Sequence, residues 1–328
     1  MSEWTLLHAH LHQLLRSQLW LPAQQSLLVA VSGGQDSLCL LRLLLDLQPK
    51  WGWRLLVAYC DHRWPADAGN AAFVAAVTQT WQVPLVVQAA VVPPCGEAAA
   101  RHWRYQVLTA IAHTYQCRYV VTGHTASDRA ETILYNLVRG SGLNGLQTLT
   151  WQRSLTPEIS LVRPLLKMTR AETGQFCQSR QIEVWADATN ENLAYARNRI
   201  RLEVLPYLQQ HFNPRVEQTL AQTAELLAAE VDYLEAIAHD LYQQAIAAVS
   251  QPPQWRIHRP SLQSSHIALQ RRVIRQLLQQ MMPSQPTFGH IEKLVNLLEA
   301  PNRSQSDPLP GGICAQVEDD WITFVRVS

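Results

Sequence analysis

Lysine is scarce in this sequence. Lys50, Lys167 and Lys293 are its only three, so nearly all of the positive charge is arginine. The net charge is +1, which gives no global argument for a polyanionic partner. The six cysteines, Cys39, Cys60, Cys95, Cys117, Cys177 and Cys314, include no C-x-x-C pair. That spacing excludes the usual zinc, iron–sulfur and redox-disulfide motifs, and each cysteine reads as a small buried hydrophobe. No apolar run reaches membrane-spanning length, and Met1-Ser2-Glu3-Trp4 is not the basic start of a signal peptide. A soluble, cytoplasmic protein with no membrane partner is expected. The 13 glycines and 18 prolines are scattered and form no repeat.

What is present is a globular composition, 47% hydrophobic and 16% charged over 328 residues, long enough for two domains. Charge is unevenly spread. Residues 151–215 carry nine basic and six acidic side chains, whereas 216–328 carry eight and twelve. Arginine suits two-pronged phosphate contacts, although an arginine excess alone carries little weight.

Residues 26–31 are a continuous apolar run ending in glycines, a buried parallel strand feeding a phosphate loop. The spacing then predicts a helix over 38–47, a strand over 53–60, a helix over 66–81, a strand over 84–89, a helix over 97–115, a short strand over 118–122 and a helix over 127–139. Such alternation implies the α/β class, a parallel twisted sheet with helices on both faces and ligands at the carboxyl ends of the strands. The polar clusters 32–37, 61–62 and 123–124 fall at those ends. A mixed stretch runs to 187. Helices are expected over 193–209, 216–249, 261–282 and 287–299, and paired strands over 313–317 and 321–327. The expected domains are 1–212, which holds every chemical motif, and a smaller, mainly helical 213–328.

The loop Ser32-Gly33-Gly34-Gln35-Asp36-Ser37 carries the sharpest signal. Glycines between a buried strand and a helix let backbone N–H groups approach an anion, and the helix dipole adds attraction. The bland alternative is a tight strand–helix turn. Asp36 argues against it, because a carboxylate in a phosphate nest needs a cation beside it, either Mg²⁺ or a substrate ammonium. No Gly-Lys-Ser/Thr follows, so this is not the Walker loop. His62 and Gly123-His124 stand at strand ends, where a ligand role and an idle one are about equally plausible. Asp128 and Glu131 are three apart and share a helix face. For Asp128 a helix-dipole role competes with a functional one, while Glu131 lies deeper in the helix. Arg197 and Arg201 share a face one turn apart, able to clamp a phosphate, a carboxylate or RNA, and Arg199 points elsewhere. Arg101 and Arg104 are paired in the same manner. Arg271, Arg272 and Arg275 read as a solvated basic face.

The Ser32–Ser37 form resembles the PP-loop ATPases, which cleave ATP between its α- and β-phosphates. Together with Asp61-His62-Arg63, Ala100–Tyr105, Thr122–Thr132 running into Arg139–Leu146, Arg163-Pro-Leu-Leu166, Arg170, Asp187-Ala-Thr-Asn190, Ala196–Arg201 and Leu205-Pro206, it resembles the tRNA(Ile)-lysidine synthase family across residues 26–208. Thr189 stands where that family usually has serine. Arg63-Trp64 replaces a common Gly-Leu pair, which leaves the packing of the ATP base open. The chain resembles the short architecture of the family.

The resemblance implies a carbon–nitrogen ligase. ATP and Mg²⁺ would adenylate the 2-oxygen of the wobble cytidine in the CAU anticodon of tRNA(Ile). Free L-lysine would then displace AMP through its ε-amine to give lysidine. It implies a PP-loop catalytic domain over 1–212 and a tRNA-binding domain over 213–328. ATP contacts are expected from Ser32, Gly33, Gly34, Gln35, Asp36, Ser37, His62, Gly123 and His124. Asp36, Arg104, Asp128 and Glu131 are the expected catalytic residues, with Asp36 on Mg²⁺, and Asp128, Glu131, Arg197 and Arg201 are expected on lysine or tRNA. A homodimer is left open. Two other readings compete with this one. A tRNA thiolation enzyme of the same superfamily generally needs paired cysteines. A non-catalytic nucleotide- or RNA-binding module would not need Asp36, Asp128 and Glu131 together.

Overall fold

The computed structural model describes residues 4–186, 192–248 and 255–326. The chain forms two compact units, Met1–Ala228 and Ala229–Ser328.

The first unit opens with α1 (Leu6–Gln18) and then alternates β1 (Ser26–Ala30), α2 (Gln35–Trp51), β2 (Arg54–Asp61), α3 (Asn70–Thr80), β3 (Leu85–Ala89), α4 (Gly96–Thr114), β4 (Tyr119–Thr122) and α5 (Ala126–Val138). The expected mixed stretch resolves into α6 (Leu143–Leu146), β5 (Gln152–Ser154), β6 (Ser160–Val162) and α7 (Arg170–Ser179). Strands of three residues are too short to show a period in the sequence. The sheet order is β3-β2-β1-β4-β6-β5, parallel throughout except for the β5–β6 edge.

Alternation along β1 explains the covering of both faces. Leu27 and Val29 join Leu11 and Leu15 of α1, Leu41 of α2 and Phe176 of α7, whereas Leu28 joins Leu108 and Ile111 of α4. Each fully buried leucine contributes about 1.5–3 kcal/mol. With the strands so fixed, the chain leaves β1, β2, β4 and β6 on one edge, and residues 32–37, 61–64, 123–128 and 163–170 meet there.

The chain continues through α8 (Ala196–Arg199), a π turn (Ile200–Val204) and α9 (Leu205–His211) into α10 (Val216–Ala245). Val216 and Leu220 of α10 pack with Ala130, Ile200 and Leu205. The compact first unit therefore runs past 212–213, and the division falls inside α10.

The second unit adds β7 (Ile246–Ala248), β8 (Trp255–His258), α11 (Arg259–Gln263), α12 (Ile267–Met281), α13 (Phe288–Leu297), β9 (Ile313–Glu318) and β10 (Trp321–Arg326). An antiparallel sheet, β7-β8-β10-β9, packs on α12 and α13 through Ile257, Ile274, Leu277, Leu294, Val317 and Ile322. The pair β9–β10 was expected. β7 was not, because Ile246–Ala248 continue the alanine-rich pattern of α10. This unit is thus mainly helical, as expected, with a small four-stranded antiparallel sheet added to its helices.

Candidate active site

The glycine loop is tied down before any ligand is considered. The Ser32 N–H donates to Ser37 Oγ at 3.1 Å, and the Ser37 hydroxyl donates to the Gly34 carbonyl at 2.9 Å. Gly33 has φ +83°, and a Cβ there would lie 2.4 Å from Asn70 Oδ1, so only glycine fits. Asn70 Nδ2 donates to the Ser32 carbonyl at 3.0 Å, and the Trp185 N–H donates to the Gly33 carbonyl at 2.9 Å. Gly123 is required by closeness, since its Cβ would fall 2.7 Å from the Asp36 carbonyl. Gln35 turns its amide to the Arg170 carbonyl, 2.7 Å away, and so ties the loop to α7.

Beside the loop Arg170 gathers three carboxylates. Its Nε is 3.1 Å from Asp36, its Nη2 3.3 Å from Asp128 and its Nη1 3.3 Å from Glu131. Arg170 is the first residue of α7, whose Thr169/Glu172 capping box fixes the helix start, and its own N–H donates to Ser127 Oγ at 3.0 Å. The Thr173 hydroxyl donates to Asp36. Asp128 serves α5 and the site at once: Oδ2 accepts from the Thr125 N–H at 2.7 Å, and Oδ1 faces Arg170. Glu131 is 1% exposed and is gripped on both oxygens by Arg201, at 2.6 and 2.9 Å. Arg201 lies in the π turn, a helix distortion that often re-aims side chains at functional sites.

Burial pushes the Asp36 carboxyl above its usual range in spite of Arg170. Burial also opposes ionisation of Asp128, but Arg170, His124 and the Thr125 bonds outweigh it and hold its pKa low. Burial tries to lower Arg170, and the three carboxylates more than reverse this, so it stays charged. Two guanidiniums, Arg170 and Arg201, thus face three carboxylates.

A cavity of about 570 Å³ opens over this cluster, lined by the loop, by Gly123 and His124, and by His62, Trp64, Arg104, Asp128 and Arg201. Burial lowers His124 to about 3 and His62 to about 4, so both are neutral at pH 7. His62 stacks on Trp64 with ring centroids 4.8 Å apart and lies 3.4 Å from Arg104 Nη2. Arg63 sits at φ +55°, a conformation glycine adopts at no cost, and its N–H is held by Asp61 Oδ1 at 2.7 Å. The Arg63-Trp64 departure therefore keeps the turn and adds an indole to the cavity wall.

The structure brings Asp36, Asp128, Glu131 and Arg201 together. It turns Arg197 to Thr132 Oγ1 at 2.9 Å and to Glu97, while Arg199 binds the Leu193 carbonyl at 2.9 Å. The central part of Arg170 was missed. Half a signal existed, since carboxylates gathered near one loop require a cation, but the place of Arg170 beside them depends on β6, which the sequence does not declare. Asn70 and Trp185 gave no such signal. Asp187-Ala-Thr-Asn190 lies outside the described residues. Among the described residues no group of three His, Cys, Asp or Glu side chains is placed to hold a metal, and no helix is long and apolar enough to cross a membrane.

A family model of the PP-loop domain matches residues 5–208, and one of the TilS substrate binding domain matches residues 258–320. The chain is 55% identical to the tRNA(Ile)-lysidine synthase of a Nostoc species, over 97% of this chain and 96% of that one. It is 52% identical to that of a Synechocystis species, over 98% of each. In fold it is similar to the U34-tRNA thiolase NcsA of Methanococcus maripaludis, with a TM-score of 0.57 over 68% of this chain and 78% of that chain, at 12% identity. With relatives this similar matched along nearly their whole length, the chain belongs to the tRNA(Ile)-lysidine synthase family.

Proposed function

We propose that this protein uses ATP to adenylate the 2-oxygen of the wobble cytidine in the CAU anticodon of tRNA(Ile), and joins free lysine to carbon-2 through its ε-amine, releasing AMP and diphosphate. The observation that carries the reading is the Arg170 cluster set directly beside the glycine loop. Its substrates, tRNA and ATP, support a cytoplasmic location.

The triphosphate lies against the backbone N–H groups of residues 32–37. Gly34 supports this, because a Cβ there would meet nothing closer than 3.6 Å. The fold does not need glycine at that position, but close approach of a phosphate does. The adenine lies toward His62 and Trp64 at the end of β2, with Arg104 beside them. Asp36 is the pocket carboxylate nearest the leaving diphosphate. Burial raises its pKa even with Arg170 beside it, so a further cation such as Mg²⁺ carried in by ATP would favour its charged form. Mg²⁺ bound there would neutralise the departing diphosphate.

A cytidine oxygen is a poor leaving group until AMP is attached to it. The base must be splayed from the anticodon loop to reach the cavity. Lysine then presents an ammonium to a site whose carboxylates outnumber its nearest guanidiniums by one. Asp128 lines the cavity, so it receives the ammonium and holds or takes its proton as the amine attacks. Glu131 works from behind by fixing Arg201 and Arg170. Arg197 braces α5 through Thr132.

The test is incorporation of labelled lysine into an unmodified tRNA(Ile) transcript with a CAU anticodon. Lysine, AMP and diphosphate should appear in equal amounts, and a wobble uridine should abolish all three. Equal incorporation into both RNAs would overturn the assignment.

A further inference from the structure

Beyond the cluster at Arg170, three other arginines converge on one tyrosine. Tyr105 of α4 carries the Arg101 guanidinium 5.1 Å from its ring centroid and that of Arg153 at 4.6 Å. Arg163 lies near enough for its charge to favour the ionised form of the same phenol, and its Nη1 donates to the Thr150 carbonyl at 2.6 Å. Arg163 is 2% exposed, and its buried Nε has no hydrogen-bond partner. Among the described residues none of Arg101, Arg153 and Arg163 forms an ion pair with a carboxylate. Three guanidiniums gathered without an anion are an unbalanced charge of the kind a bound anion completes.

We propose that Arg101, Arg153 and Arg163 on Tyr105 form an anion subsite at the rim of the cavity, which takes a phosphodiester of the RNA next to the base being modified.

The proposal rests on the RNA-modifying reading above and deepens it. Position in the sheet separates this subsite from the triphosphate. In the order β3-β2-β1-β4-β6-β5, the glycine loop leaves β1 and the adenine wall leaves β2. Arg153 lies on β5, three strands from β1 on the other side, roughly 14 Å at the usual strand spacing. ATP therefore runs away from the cluster. Tyr105, on which Arg101 and Arg153 stack, itself lines the cavity, so the subsite adjoins the cavity through that ring. Exposure grades outward: Arg163 is buried, Arg101 half-buried and Arg153 exposed on the edge strand. Such a grade suits a backbone that stays at the mouth while its base enters. Guanidiniums already stacked on a ring lose less freedom when they bind phosphate.

The experiment uses the full-length enzyme and an anticodon stem-loop of tRNA(Ile). Binding is followed by filter retention across a salt series, and lysine incorporation gives the Michaelis constants. Arg153→Ala, at an exposed position, should raise KM for RNA about tenfold, the scale of one lost charged hydrogen bond. It should flatten the dependence of log K on log salt by about 0.7–0.9, one phosphate's worth. Arg153→Lys should restore the salt slope. An RNA carrying a neutral methylphosphonate at the linkage flanking the target cytidine should bind wild-type and Arg153→Ala enzyme equally. An unchanged salt slope, or a rise in KM for lysine in place of KM for RNA, overturns the proposal. The second result would make the cluster a seat for the lysine carboxylate. If wild-type enzyme binds this RNA but incorporates no lysine, the reaction assigned above fails, and the salt slopes still decide the subsite.

Discussion

Arginine meets carboxylate in two regions of this chain, on opposite terms. In the first unit Arg170 and Arg201 serve three carboxylates, Asp36, Asp128 and Glu131. In the second, three arginines of α12 share two: Arg272 and Arg275 bind Glu235, and Arg271 binds Glu292 at 2.7 Å. The first region is short of positive charge at the mouth of a cavity, which is an invitation to a cation. The second is short of negative charge on a helix flank, where the charges tie the helix to its neighbours. The basic face expected to be solvated at 271–275 is therefore largely paired, and Arg272 is only 8% exposed. Arginine count distinguishes neither region. What separates them is which sign is in excess and whether a cavity opens onto it.

The largest effect should follow removal of Arg170. Arg170→Met strands Asp36 and Asp128, each less than a fifth exposed, and leaves the buried Glu131 with Arg201 alone. Breaking buried pairs in this way costs about 3–5 kcal/mol. Urea denaturation should show a loss of that order together with loss of detectable lysine incorporation. Arg170→Lys, which keeps the charge but not the fork, should recover most of the stability and little of the activity. If Arg170→Met is as stable as wild type, the cluster is not a buried charge network and the comparison collapses.

Asp36→Asn should separate chemistry from folding. Burial already opposes ionisation of Asp36, so removing its charge should cost less stability than removing Arg170. Diphosphate release should nevertheless disappear, because the carboxylate beside the loop is gone. Near-normal turnover in this variant would place the cation elsewhere.

These contrasts also show why some of the site was readable beforehand. The strand–glycine–helix sequence at 26–37 declares itself locally, and so do the strand ends at 61–62 and 123–124. The pairing of Asp128 with Glu131 is set by helical period. Arg170 is not local information. It reaches Asp36 from 134 residues away, and only the placing of β6 beside β4 brings it there. The π turn at Ile200–Val204 is also invisible to a 3.6-residue period, although it carries Arg201. The sheet of the second unit was half legible: β9 and β10 alternate around a turn, while β7 shares its composition with the helix before it.

A smaller effect should separate the two carboxylates of α5. Asp128→Asn should raise the Michaelis constant for lysine by about one to two orders of magnitude, because the ammonium loses its cavity-facing partner. Glu131→Gln should lower kcat more than it changes that constant, since it loosens Arg201 and Arg170 without touching lysine. Both should still form adenylated RNA when ATP is supplied without lysine. If Glu131→Gln alone raises the constant for lysine, the roles are reversed and the deeper carboxylate is the ammonium's partner.

The smallest effect belongs to α12, and it sharpens the comparison from the other end. Glu235 sits between Arg272 and Arg275 and also accepts from Gln276 Nε2 at 2.9 Å. Glu235→Gln leaves the mostly buried Arg272 without its countercharge, and a loss of about 1–3 kcal/mol is expected. Arg271 is 40% exposed at its side chain, and its pair with Glu292 works in water and salt. Arg271→Ala should therefore leave the denaturation midpoint of the second unit where it is. Raising the salt to 1 M should leave the Glu235→Gln defect largely in place, because a burial penalty is screened less than a surface attraction. Equal losses from the two substitutions, both erased by salt, would mean that the whole of α12 carries surface charge. The contrast with the Arg170 cluster would then be one of burial alone and not of which sign is in excess.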